Sequence, residues 1–147
     1  MQDVVNIARV VETLPDEFEV ILADAASEGV RNMALLARQW ASGEQRFEEP
    51  GALFAARVGG ALAGVGGVSP ETGPGEPAMR MRRLYVRPDF RRMGVARALA
   101  GAMMQQGFQA APRLTVNAAA SVAAGPFWAA MGFEPSDRRD ATHIARL

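Results

Sequence analysis

The run Arg91-Arg92-Met93-Gly94-Val95-Ala96-Arg97 brings together the residue types that hold anions. It follows an extended apolar segment ending in Leu84-Tyr85-Val86-Arg87-Pro88, and a helical pattern starts at Gly94. A tight turn between a strand and a helix aims several backbone N–H groups at one spot, at the positive end of the helix dipole. Gly94 lets the backbone come close to a ligand, and Ala96 keeps the first helical turn slim. Arg91, Arg92 and Arg97 add charge that does not titrate away. In physical terms this is a pyrophosphate cradle. It lacks the G-x-x-x-x-G-K-[ST] of a P-loop and the G-x-G-x-x-G of a Rossmann turn, which argues against nucleotide hydrolysis and hydride transfer.

Other chemistries are limited by what the chain lacks. There is no cysteine, so no thiolate metal site, disulfide or cysteine nucleophile is available. One histidine, His143, cannot build a zinc site on two imidazoles, and no metal is expected. Net charge is zero, but residues 1–50 hold 10 acids against 4 arginines, and residues 51–147 hold 6 acids against 12 arginines. Of the 16 arginines, 7 lie between Arg80 and Arg97, and lysine is absent. A basic centre suggests an anionic ligand there; an acidic first third suggests a cationic one. The alternative is a compositional habit displayed on solvated faces.

The elements that must position the cradle can be read from periodicity. Val4 to Val10 reads as a β-branched strand, and Pro15-Asp16-Glu17 as the first turn of a helix carrying Phe18, Ile21, Leu22 and Ala25 inward. Glu28-Gly29 interrupts it, and a second helix places Met33, Leu36, Ala37 and Trp40 on one face. Gly59-Gly60 joins two extended runs, Ala52 to Val58 and Ala61 to Val68, as a hairpin. Ser69 to Pro77 reads as a loop, and Met79 to Val86 as the next strand. The helix from Gly94 carries Val95, Leu99, Ala102 and Met103 inward and is expected to stop near Gly107. Arg113 to Val116, a helical run reaching Met131, and strands at Phe133 to Pro135 and Ala141 to Leu147 complete the chain.

The expected order is β-α-α-β-β-β-α-β-α-β-β, one α+β domain over residues 1–147. The sheet should be mixed and mostly antiparallel, with one parallel strand-helix-strand unit and helices on both faces. No run approaches a membrane span, and Met1-Gln2-Asp3 does not open a signal peptide, so a cytoplasmic protein is expected.

At this point the chain resembles the GNAT family of N-acetyltransferases. Arg91-Arg92-Met93-Gly94-Val95-Ala96 matches that family's [QR]-x-x-G-x-[GA], and Phe127-Trp128-Ala129-Ala130-Met131-Gly132-Phe133 its closing F-[YW]-x-x-x-G-F. The resemblance implies acetyl-CoA as co-substrate, with N–H groups from Arg92 to Arg97 taking its phosphates. Main-chain groups of Leu84 and Val86 would pair with the pantetheine arm, one amide there serving as an oxyanion donor. Tyr85 would be a pocket wall or a catalyst, and Asn117 either a partner of the arm or an N-cap.

The chain also departs from the family pattern. The position of the tyrosine that often protonates the leaving thiolate holds Trp128, whose indole is no proton source near neutral pH; it reads as a packing residue shaping the thiol pocket. Ser121, two turns earlier if the helix is regular, stands where asparagine is frequent, and Pro126 could bend that helix. Arg80, Met81 and Arg82 occupy the stretch where relatives often carry a glutamate base. Glu28, Glu76 and His143 are the remaining candidates for a base.

The acids Asp16, Glu17, Glu19, Asp24 and Glu28 favour a cationic amine, and the acceptor is expected to be a small-molecule or peptide amine. Neither nucleic acid nor membrane is an expected partner, and a homodimer is left open. An acyl-CoA-binding regulatory domain without catalysis is the alternative. A nucleic-acid binder using Arg80 to Arg97 lacks an aromatic stacking platform.

Overall fold

A computed structural model describes residues 4–72, 75–119, 121–137 and 141–147. The elements are β1 (Val5–Arg9), α1 (Phe18–Ser27), α2 (Asn32–Ser42), β2 (Ala52–Val58), β3 (Ala61–Pro70), β4 (Met79–Val86), a 3-10 turn at Pro88–Phe90, α3 (Val95–Ala110), β5 (Arg113–Val116), α4 (Ala124–Ala130), β6 (Glu134–Pro135) and β7 (His143–Arg146). They follow the expected order. The sheet runs β1-β2-β3-β4-β5-β7-β6, antiparallel throughout except for β4 against β5.

Each face of the sheet buries its own apolar cluster. On one side Val95, Leu99, Ala100 and Met103 of α3 pack with Met79, Met81, Leu114 and Trp128. On the other, Phe18, Ile21 and Ala25 of α1 and Met33, Leu36 and Trp40 of α2 pack on Leu53, Leu62, Val65 and Tyr85. Strand alternation explains the division: Met79 and Met81 face α3, so Arg80 and Arg82, which alternate with them, face the side of α1 and α2.

Four boundaries differ from the sequence reading. Helix α1 begins at Phe18, because Glu17 sits in the left-handed region at φ 69 and ends the approach turn instead of opening the helix. Strand β3 extends through Ser69 and Pro70, which pair with Arg80 and Met79. Gly107 does not stop α3. It lies inside the helix, where a Cβ would come within 2.6 Å of Leu114 Cδ2, so its bare backbone admits the sheet. Helix α4 begins only at Ala124, with Pro126 in its first turn, and Ser121 precedes it in a turn. Ser121 and Trp128 therefore do not share a helical face, and Pro126 bends nothing.

Candidate functional site

The site begins with an incomplete strand pair. Strands β4 and β5 pair in parallel at Met79–Leu114 and Arg80–Thr115, and the pairing stops there although β4 continues to Val86. The Arg87 N–H reaches Ala63 O of β3 at 2.8 Å. By the two-residue period of a strand, the N–H and C=O of Val86 and Leu84 point to the opposite edge, the one β5 leaves open. Two of the residues singled out from the sequence thus turn backbone donors and acceptors into a gap.

A bulge sets the geometry of that edge. Val65 pairs with Tyr85 and Gly67 with Arg82, so two residues, Arg83 and Leu84, lie opposite Gly66 alone. Arg83 absorbs the extra residue at φ 59, a left-handed conformation that costs a non-glycine residue about 1 kcal/mol or more. Beyond β4 the chain turns at Pro88–Phe90 and enters α3 through Arg92 (φ 66) and Gly94 (φ 80). The α3 N-terminus has no side-chain cap and no acid in its first turn, and a Cβ on Gly94 would meet nothing within 4 Å. Arg92, Met93, Gly94 and Arg97 are exposed, Ala96 is half-buried, and Val95 is buried in the core and anchors the turn. The arrangement is an open, uncapped helix start flanked by arginines, suited to an anion.

Arg91 does not join that open set. Its Nη1 and Nη2 donate to Glu28 Oε2 and Oε1 at 2.8 and 2.7 Å, and its Nε donates to Val86 O at 3.1 Å. The Tyr85 hydroxyl donates to Glu28 Oε1 at 2.5 Å, and the Arg91 guanidinium lies 5.7 Å from the Tyr85 ring centre. The bonds from Arg91 and Tyr85 hold the Glu28 carboxyl below its ordinary value, and the pairing raises Arg91. Burial, followed by the bond to Glu28, pushes the Tyr85 phenol up. Glu28 is therefore ionised at neutral pH with both oxygens engaged, and it is a strap between α1 and the turn.

The other candidates divide clearly. Glu76 is held by Arg146 at 3.0 Å, at the end of β4 away from Val86, which removes it from the site. His143 pairs across from Val116, its Nδ1 2.8 Å from Thr142 Oγ1, beside Gly125 of α4. Trp128 is 5% exposed and packed edge-on by Phe127 and Phe133, both ring centres at 5.1 Å, as a packing residue should be. Ser121 is exposed. Asn117, also exposed, accepts a bond from the Ala119 N–H at 3.1 Å. That is an Asx turn, and since α4 starts at Ala124 it is not an N-cap.

Three of the five acids expected on the acceptor side are neutralised by arginines. Glu17, Asp24 and Glu28 are paired with Arg57, Arg87 and Arg91 at 3.4, 2.7 and 2.7 Å. Charge counting along the sequence could not show this, because each partner is distant in the chain.

Comparison with known proteins places this geometry in a wider set. The acetyltransferase (GNAT) domain family matches residues 21–144. A protein of Exiguobacterium sp. 255-15 has a solved structure that superposes with a TM-score of 0.85 at 24% identity, over 97% of this chain and 93% of that one. An acetyltransferase of the GNAT family from Staphylococcus aureus Mu50 gives 0.74 at 14% identity, over 98% and 99%. A GNAT family acetyltransferase from Elizabethkingia anophelis, solved with acetyl-CoA bound, gives 0.64 at 13% identity, over 97% and 98%. No curated protein matches the chain. Among the described residues, no helix is long and apolar enough to cross a membrane.

Proposed function

Because the chain belongs to the GNAT acetyltransferase family, we propose that it moves the acetyl group of acetyl-CoA directly to a primary amine. One observation carries the reading: the edge of β4 that β5 leaves open at Leu84 and Val86, where Arg91 Nε meets only the Val86 C=O, leads straight to the uncapped start of α3. The Elizabethkingia anophelis relative binds acetyl-CoA, which supports the same ligand here. An extended arm finds backbone partners along the open edge of β4, and a pyrophosphate finds amides from Arg92 to Arg97 with the Arg92 and Arg97 side chains beside them. Asn117, at the end of β5, lies on the far side of the gap.

The chemistry asked of the protein is modest. The amine nitrogen forms a bond to the thioester carbon, the C–S bond breaks, and the thiolate leaves with a proton drawn from water. The amine's surplus protons pass to solvent. In this proposal the Leu84 amide, at the bulge, donates to the carbonyl oxygen as negative charge builds on it. Holding the two reactants together supplies most of the remaining acceleration. Glu28 cannot accept a proton while Arg91 and Tyr85 hold it, and Trp128 has none to give.

The same facts favour a second reading, an acyl-CoA-binding regulatory domain that does not catalyse. Thiol release from acetyl-CoA, measured against a panel of amines, separates the two. Amine-dependent release supports transfer; tight acetyl-CoA binding with no release for any amine supports the regulatory reading.

A further inference from the structure

Between Arg80 and Arg97 the arginines fall into two kinds. Arg80, Arg87 and Arg91 each meet a carboxylate, on Glu71, Asp24 and Glu28. Arg82, Arg83, Arg92 and Arg97 meet none among the described residues. Arg92 and Arg97 flank the start of α3, where the cofactor's phosphates account for them. Arg82 and Arg83 lie elsewhere, on the opposite face of β4, and the cofactor turn does not explain them.

Their position follows from the bulge. Consecutive strand residues normally point to opposite faces, but the extra residue at Arg83 turns two adjacent guanidiniums toward α2. Arg82 Nε donates to Ser69 Oγ at 2.8 Å, and Arg83 Nη2 donates to Gln39 Oε1 of α2 at 3.3 Å. Neither Nη of Arg82, nor Nη1 of Arg83, has a protein partner among the described residues. Arg83 Nε is buried with no hydrogen-bond partner among the described residues. Both side chains are half-buried, and desolvation depresses both guanidiniums, Arg82 also through the like charges of Arg80 and Arg83. The nearest acid acting on Arg82 is Glu71, already committed to Arg80 and, at 3.7 Å, to Arg113. Two neighbouring cations half withdrawn from water, neither ion-paired with a carboxylate among the described residues, carry a cost that an anionic ligand would offset. They sit next to Leu84, where the thioester carbonyl is proposed to lie.

We infer that Arg82 and Arg83 form an anion subsite for the acceptor, so that the amine acetylated here also carries a carboxylate or a phosphate. Planar guanidiniums whose remaining donors, both Nη of Arg82 and Nη1 of Arg83, belong to adjacent residues suit such oxygens. The inference rests on the acetyl-transfer reading and deepens it by naming the acceptor class. It differs from the cationic acceptor suggested by the acids near α1, of which Glu17, Asp24 and Glu28 are paired with arginines.

The test uses matched acceptors: an amino acid against its amide, and an aminoalkyl phosphate against the corresponding amino alcohol. Thiol release gives kcat and KM for each, and calorimetry gives the affinity of each amine for the CoA-bound protein, whether or not it turns over. The wild type should favour one anionic member by at least about tenfold, the size expected of one charged hydrogen bond. Whichever pair shows the preference identifies the anion. Arg82→Gln and Arg83→Gln should each raise that acceptor's KM and erase the preference, with acetyl-CoA affinity unchanged; Arg82→Lys should restore part of it. Thermal melts check that each variant folds, and either one suffices. Equal or better binding of the neutral members, or a preference that survives both substitutions, overturns the subsite while leaving acetyl-CoA binding intact. Should acetyl-CoA itself not bind, the transfer reading fails, and calorimetry of the free protein with the same pairs still decides the anion preference.

Discussion

Arg91 and Glu28 face each other through two parallel hydrogen bonds, of 2.8 and 2.7 Å, across 63 positions of sequence. With the third bond from Arg91 Nε to Val86 O, the pair ties the end of α1 to the strand and turn that form the proposed cofactor site. In the proposed reading the arginine at the head of the motif is a positioning residue, holding the cradle's entrance, and the backbone beyond it binds the phosphates.

Glu28→Gln should loosen acetyl-CoA binding and leave the pH–rate profile unshifted between pH 6 and 9, because both carboxylate oxygens are held by Arg91 and Tyr85. Arg91 is nearly half exposed, so the pair is screened, and the substitution should lower stability by about 1 kcal/mol or less. The folded carboxyl titrates below its ordinary value of 4.5, so its contribution is fully present above that value. The contribution fades as pH falls through the folded pKa. Acid melts of wild type and Glu28→Gln should therefore differ at neutral pH and converge only once pH has fallen through that lowered pKa. A pH–rate limb near neutrality that vanishes in the variant would instead make Glu28 a base.

Gly94→Glu should abolish CoA binding and keep the fold. Gly94 has room for a side chain but sits at φ 80, so any residue there carries backbone strain of about 1 kcal/mol. The added charge repels phosphates at the mouth of the cradle. Normal acetyl-CoA affinity in a folded Gly94→Glu protein would place the cradle elsewhere.

Trp128→Phe should lower stability more than activity. Its two edge-on ring contacts contribute about 0.5–1.5 kcal/mol each, and the smaller ring leaves unfilled space. Thiol release should fall by less than about tenfold, since a positioned general acid is typically worth ~100-fold or more. Ser121→Ala should have an equally small effect, given its exposure ahead of α4. A hundredfold drop in kcat for either variant, with folding and acetyl-CoA affinity intact, would assign that residue to catalysis.

Local signals were legible, and long-range ones were not. The Gly59-Gly60 turn, the strand ending at Val86 and the glycine at the head of α3 are set by nearby residue types, and each lies where the periodicity put it. Gly107 was misread as a helix stop because a small residue can mark either a terminus or a close approach, and only Leu114 decides between them. The bulge at Arg83 carries no marker, since arginine does not favour positive φ, so the shared face of Arg82 and Arg83 could not be foreseen. The pairing of Glu28 with Arg91, and of Asp24 with Arg87, joins residues 63 positions apart, so their neutralisation was invisible to charge counting.

Calorimetric titration of acetyl-CoA into the metal-free protein tests the central claim most directly. The account predicts saturable binding that weakens as salt is raised, because phosphates meet arginines across a partly exposed turn. No heat of binding and no thermal shift, with acetyl-CoA or CoA at any ionic strength, would contradict it.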